Sequence, residues 1–81
     1  MSASQRLTAV FRETFELDEG VDVTSLRYRE LPQWDSVGHM RLVAGIEDAF
    51  GIMLETFDVL DMSSYAKSVE ILGKYNVDAT N

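Results

Sequence analysis

The sequence predicts an all-α fold, a four-helix bundle with three longer helices, one short helix and a long loop between the first two. Apolar residues recur at helical spacing in three segments, and no segment shows the two-residue alternation of a strand. The 81 residues suffice for one domain, 1–81, with a single core. A chain this short seldom encloses a deep catalytic pocket, so we expect no catalytic residues and no enzyme activity.

The first half of the chain is predicted to form a helix followed by a long loop. The helix covers residues 2–16, ends near Leu17 and buries one apolar face, Leu7, Val10, Phe11 and Phe15. Ser2 and Gln5 have the spacing of a capping box at its start. Residues 18–35 lose the helical period, and a connection of this length is expected to be pinned by its own apolar residues, Val21, Leu26, Tyr28, Leu31 and Trp34.

The second helix is predicted over Ser36–Phe50, with Asp35 as the N-cap and Gly51 as the residue that ends it. Its core stripe is Leu42, Val43, Ile46 and Phe50. A second apolar stripe lies on a neighbouring face and consists of Val37, Met40 and Ala44. We favour exposure over burial for Val37 and Met40, whereas for Ala44 both alternatives stay open.

Residues 52–62 are predicted to form an extended link and one short helix. Ser63 or Ser64 then caps a last helix. Its buried face is expected to contain Tyr65, Val69, Leu72 and Tyr75, with Ile71 beside them. The polar tail, residues 76–81, is expected to be frayed.

The charge of the chain limits its possible partners. Fourteen acidic against seven basic side chains give a net charge of −7, which repels nucleic acid and anionic membranes. A partner protein with a basic surface is the expected counterpart.

The chain contains no cysteine, which excludes disulfides and thiolate metal sites, and we expect no metal site. The N-terminal residues lack an apolar stretch of signal-peptide length, so a cytoplasmic protein is expected. We also expect a monomer.

Ser36 follows Asp35 at the predicted start of the second helix. Unpaired backbone N–H groups and the helix dipole make such a position favourable for a phosphate. Nothing certain in the sequence would activate the hydroxyl as a nucleophile, but a serine that receives a group from another enzyme needs no base of its own. Taken alone, an Asp-Ser pair here is most often an ordinary helix start.

The surrounding sequence resembles the acyl carrier protein family over nearly its whole length. Asp35 and Ser36 match the family's D-S-L motif, with Val37 in place of Leu, and residues 47–52 match the E-x-x-F-G-I end of its second helix. The resemblance implies that Ser36 bears 4′-phosphopantetheine, whose thiol carries acyl groups as thioesters. It also implies a phosphopantetheinyl transferase as partner, together with a synthase, an acyltransferase or an acyl- or adenylate-forming ligase that presents basic docking patches.

The resemblance also implies a docking face beside the serine, made of Val37, Met40, Arg41, Glu47, Asp48 and Asp58. Housekeeping fatty-acid carriers place acids soon after the serine, whereas this chain has Gly38, His39 and Arg41 there. Together with Trp34, these residues look more like stand-alone carriers of dedicated polyketide, nonribosomal or cell-surface sugar pathways. His39 is expected to be partly buried or to line the surface.

Several alternatives remain open at this point. A peptidyl or aryl carrier commonly shows G-G-[DH]-S before the attachment site, which residues 33–36 do not match. A non-covalent acidic adaptor is a candidate from a different class. Asp35, Ser36 and His39 lack the shielded cleft and oxyanion site of a catalytic triad. Glu55, Asp58 and Asp61 lack calcium-loop spacing, so a solvated acidic face is expected there.

Overall fold

The computed structural model describes residues 2–81, and within that range it contains four α-helices and no strand. The helices are α1 (Ala3–Phe15), α2 (Ser36–Phe50), α3 (Thr56–Asp61) and α4 (Tyr65–Gly73). A single 3-10 turn, Val23–Ser25, lies inside the long loop between α1 and α2. The predicted all-α fold with three longer helices and one short helix is confirmed.

The helix ends follow the predicted caps. Gln5 N donates to Ser2 Oγ at 3.2 Å and Ser2 N donates to Gln5 Oε1 at 3.0 Å, which completes the capping box of α1. Gly51 ends α2 at φ 64°, a left-handed conformation that glycine adopts without a steric penalty. Of the two serines proposed for α4, Ser64 is the cap, because its Oγ accepts from Lys67 N at 2.9 Å.

An aromatic cluster fixes the long loop against α1. Trp34 is fully buried, and its ring centroid lies 5.5 Å from that of Phe11 and 5.4 Å from that of Phe15. Burial of an aromatic of this size is a large stabilising contribution for a small domain. Leu26 is also buried, while the other three predicted loop anchors pack partly buried against the core, so the pinning of the loop is confirmed.

The C-terminal part of the chain agrees with the prediction in its helix and differs from it in the residues that follow. Tyr65, Ile71 and Leu72 are buried on α4 as predicted, and Ser68 is buried beside them. α4 ends at Gly73, before Tyr75, and Val69 is only half-buried. The tail is not frayed: Ala79 is buried, and Asn81 O accepts from Ser4 N at 2.8 Å. The first N–H groups of a helix need acceptors, and the returning tail supplies one.

Candidate functional site

Ser36 occupies the first position of α2 and is exposed. Asp35 fixes this helix start, because its Oδ1 accepts from Gly38 N at 2.8 Å and its carbonyl accepts from His39 N at 2.8 Å. Within residues 2–81, the backbone N–H groups of Ser36 and Val37 have no acceptor. An exposed hydroxyl thus lies beside two unpaired donors at the positive end of a 15-residue helix.

Gly38 brings this helix start unusually close to the loop beneath it. A Cβ at this position would lie 1.9 Å from Gln33 O, which is far inside van der Waals contact. The Gln33 side chain in turn donates from Nε2 to Phe15 O at 3.3 Å. Glycine at position 38 therefore allows the end of the loop to support α2 directly below Ser36.

His39 connects three separate segments through its imidazole ring. Trp34 Nε1 donates to His39 Nδ1 at 3.0 Å, and His39 Nε2 lies 2.8 Å from Val59 O. Because Nδ1 accepts, the proton that binds the Val59 carbonyl must be on Nε2. The ring is partly buried, as expected, but its role as a link between the loop, α2 and α3 was not predicted. An indole and an imidazole five residues apart were the only sequence signal.

Most of the residues expected to dock partners are exposed on α2, whereas Glu47 is half-buried. Val37 and Met40 are 69% and 57% exposed, which agrees with the exposure predicted for them, and Ala44 is exposed as well. Arg41 and Asp48 are also exposed, on the same helix. Glu47 is half-buried, and its Oε2 accepts from Leu54 N at 2.8 Å, so this carboxylate is partly committed to the turn after α2.

The prediction that Asp58 belongs to a solvated acidic face is wrong. Its side chain is 6% exposed, Lys74 Nζ lies 2.5 Å from its Oδ1, and the Tyr75 hydroxyl donates to its Oδ2 at 2.6 Å. The hydrogen bonds from Lys74 and Tyr75 lower the pKa of Asp58, and the same carboxylate raises the pKa of Lys74 and of Tyr75. Asp58 therefore joins α3 to the end of α4 and is not available to a partner.

Three large apolar side chains near α3 are more exposed than any on α2. Met53, Phe57 and Leu60 are 82%, 83% and 77% exposed. Phe57 and Leu60 are three residues apart and thus project from one side of the helix. The sequence predicted the helix but gave no reason to expect this side to face outward, since six residues are too few to show an apolar period.

The start of α2 combines an exposed hydroxyl with free backbone donors. The Ser36 hydroxyl is exposed, and the two unpaired N–H groups beside it are donors of the kind that bind phosphate oxygens. Within residues 2–81, no cluster of three or more metal-binding side chains occurs. In the same range, no helix is both long and apolar enough to cross a membrane.

No family model, curated protein or solved structure matches the chain.

Proposed function

We propose that this chain is an acyl carrier protein and that Ser36 is the attachment site of 4′-phosphopantetheine. The observation that supports this most directly is the exposed Ser36 hydroxyl at the first position of α2, beside the unpaired N–H groups of Ser36 and Val37. The match of Asp35 and Ser36 to the carrier motif is the reason for proposing phosphopantetheine as the attached group.

Asp35 and the end of the helix dipole contribute separately to the proposed attachment site. Asp35 holds the first turn of α2 through Gly38 N, so the serine is presented in a fixed orientation. The positive end of the helix offsets the negative charge of a phosphodiester on the Ser36 oxygen. When bound, phosphopantetheine supplies a terminal thiol that forms thioesters with acyl groups. The absence of cysteine from the chain leaves no competing thiol.

The surface beside Ser36 is the region that partner enzymes would contact. A phosphopantetheinyl transferase must reach the hydroxyl, and a synthase, acyltransferase or acyl- or adenylate-forming ligase must then reach the thiol. Val37 and Met40 offer them an apolar contact, and Asp48 an acidic one. Arg41 interrupts the acidic surface, so a partner is expected to place an acidic or neutral group opposite it.

Coexpression with several phosphopantetheinyl transferases, followed by intact mass measurement, tests the proposal. The wild-type chain should gain the mass of one phosphopantetheinyl group, and Ser36→Ala should abolish the gain. Ser63→Ala is the matched control, because Ser63 is also exposed but does not begin a helix, and it should be modified like the wild type. A wild-type chain that stays unmodified with every transferase would contradict the proposal.

A non-covalent adaptor is a second candidate, and the exposed side of α3 favours it. Phe57 and Leu60 form an apolar patch, and Asp61 lies next to it. The adaptor hypothesis expects Ser36→Ala to leave partner binding intact, whereas Phe57→Ser should abolish it. The carrier hypothesis expects loss of function with Ser36→Ala even when the fold is unchanged.

A further inference from the structure

The hydrogen bonds of the His39 ring require a neutral imidazole. Trp34 Nε1–H donates to Nδ1 at 3.0 Å, and Nε2 lies 2.8 Å from the Val59 carbonyl, so one ring nitrogen must accept while the other donates. We call this pair of hydrogen bonds the His39 link. A second proton on the ring would go to Nδ1 and point at the indole N–H, so two donors would then face each other.

The indole is fixed in place and cannot avoid this conflict. Trp34 is fully buried, and its ring centroid lies 5.5 Å from that of Phe11 and 5.4 Å from that of Phe15. His39 is only half-buried, so protons from solvent can reach its ring. Protonation should therefore displace the imidazole and leave the buried indole N–H without an acceptor, which costs free energy.

The charged groups around the ring do not compensate for a second proton. Within residues 2–81, no carboxylate forms an ion pair with the imidazole. The loop brings Tyr28 to 5.5 Å between ring centroids, and the Arg29 guanidinium lies 5.6 Å from the Tyr28 centroid. The acids of α2 and α3 nearest to His39 in the sequence or to Val59 already have partners, namely Asp35, Asp58 and Asp61.

The short helix α3 depends on the His39 link because it has few other attachments. It has six residues, no side-chain hydrogen bond caps its start, and Asp58 is its buried residue. Within residues 2–81 the Val59 carbonyl has no backbone donor, since Ser63 N donates to Asp61 O at 2.9 Å instead. His39 supplies the missing donor. A helix of this length is not stable by itself, so loss of the link should free it.

One opposing effect favours the protonated ring. Carbonyl groups at the C-terminal end of a helix attract a cation, and His39 Nε2 binds such a carbonyl. With only six residues, α3 has a weak dipole, whereas the contact between two donors costs a whole hydrogen bond. The balance therefore favours the neutral ring.

We propose that the His39 link is a proton-sensitive switch, which holds α3 to α2 at neutral pH and releases it when the imidazole gains a proton. Phe57 and Leu60, which are 83% and 77% exposed, belong to the released segment. The exposed apolar side of α3 is thus held in one position only while His39 is neutral. The inference does not depend on a group attached at Ser36.

Amide hydrogen exchange at about pH 7.5 and about pH 5 tests the switch, because His39 is the single histidine of the chain and other side chains titrate little in this range. The bonds from Lys74 and Tyr75 lower the pKa of Asp58, so its carboxylate stays charged at both values. After correction for intrinsic exchange rates, the protection of the Leu60 and Asp61 amides should fall about tenfold at the lower pH, the factor for one lost hydrogen bond. The amides of α1 should keep their protection.

Trp34→Phe removes the donor that conflicts with a protonated Nδ1. In this variant α3 should exchange quickly at both pH values, so the tenfold change should disappear. Tyr28→Phe is the matched control, because it removes a titratable group beside the ring but keeps both bonds of the His39 link, and it should respond to pH like the wild type. The wild-type measurements decide the question even if Trp34→Phe does not fold.

Nitrogen NMR spectra of the His39 ring, recorded on the same wild-type samples, define the outcomes that would overturn the inference. A protonated Nδ1 at the higher pH would show that the ring does not accept from Trp34. A ring that stays neutral at the lower pH would show that no switch operates in this range. A ring that gains its proton while the Leu60 and Asp61 amides stay protected would show that the link does not hold α3.

Discussion

The start of α2 and the short helix α3 are held to the rest of the molecule by different forces. Beneath Ser36, the support is apolar and steric: Trp34 packs between aromatic rings of α1, and Gly38 allows backbone contact with the loop. α3 is instead held largely by polar contacts, in which His39 binds Val59 O and Lys74 and Tyr75 bind Asp58.

This difference indicates which part of the molecule can adjust. Apolar packing is nearly independent of salt and pH, so Ser36 should keep its position under many conditions. A helix of six residues is not stable by itself, so the position of α3 depends on contacts that titrate or are screened. Four predictions probe the two regions, from the largest expected effect to the smallest.

Gly38→Ala should have the largest effect, because its Cβ would collide with the backbone oxygen of Gln33. We expect a loss of about 3 kcal/mol or more in the free energy of unfolding, measured by urea denaturation. Gly20→Ala is the control: a Cβ there meets nothing within 4 Å, and stability should stay within about 0.5 kcal/mol. Equal effects of the two changes would contradict the close contact beneath Ser36.

Trp34→Phe should have the next largest effect on stability, since it keeps an aromatic ring but removes the donor to His39 Nδ1. A loss of about 1–3 kcal/mol is expected. Amide hydrogen exchange should speed up first in α3, because the His39 link to Val59 loses its second support. Tyr28→Phe, which removes only a hydroxyl from a ring that packs against Trp34, should leave α3 exchange unchanged. Faster exchange confined to α1 would argue against the link.

Asp35→Ala should remove the cap of α2 and cost about 1 kcal/mol. The first turn of α2 should fray, so phosphopantetheine transfer to Ser36 should slow as well, measured by intact mass over time. Asp48→Ala, an exposed acid within the same helix, should change stability by less than about 0.5 kcal/mol. A normal transfer rate in Asp35→Ala would show that the cap does not orient the serine.

Asp58→Asn should give the smallest loss at neutral pH, because the Lys74 amine is mostly exposed and can be rehydrated. The lowered pKa of Asp58 means that its contribution is present above about pH 4 and is lost as the pH falls through its folded value. The raised pKa of Lys74 means that the contribution is also lost at high pH, above about 10.4.

The difference in Tm between wild type and Asp58→Asn should therefore be constant near neutrality and shrink at both extremes. Asp61→Asn is the control, since the Asp61 contact with Lys67 is exposed at 3.4 Å and should contribute little at any pH. A difference that persists unchanged at pH 2 would contradict the ion pair that joins α3 to the end of α4.

Much of the site was predictable because it depends on local rules. The Asp35 cap, the position of Ser36 and the left-handed Gly51 follow from preferences that act within one helical turn. The Asp58 contacts were not predictable, because Lys74 and Tyr75 lie 16 and 17 residues further along the chain. The prediction of a frayed tail failed for the same reason, because the Asn81 carbonyl accepts from Ser4 at the distant start of α1.

The sequence by itself determined the helices, their caps and the serine that begins α2, because helical period and capping are short-range properties. Only the tertiary structure decided which acids face solvent, which apolar side chains remain exposed on α3, and that His39 joins Trp34 to Val59. These features depend on packing between segments that are distant in the sequence. A polar side chain can be buried there when the fold supplies its hydrogen-bond partners, and the residue type alone does not show this.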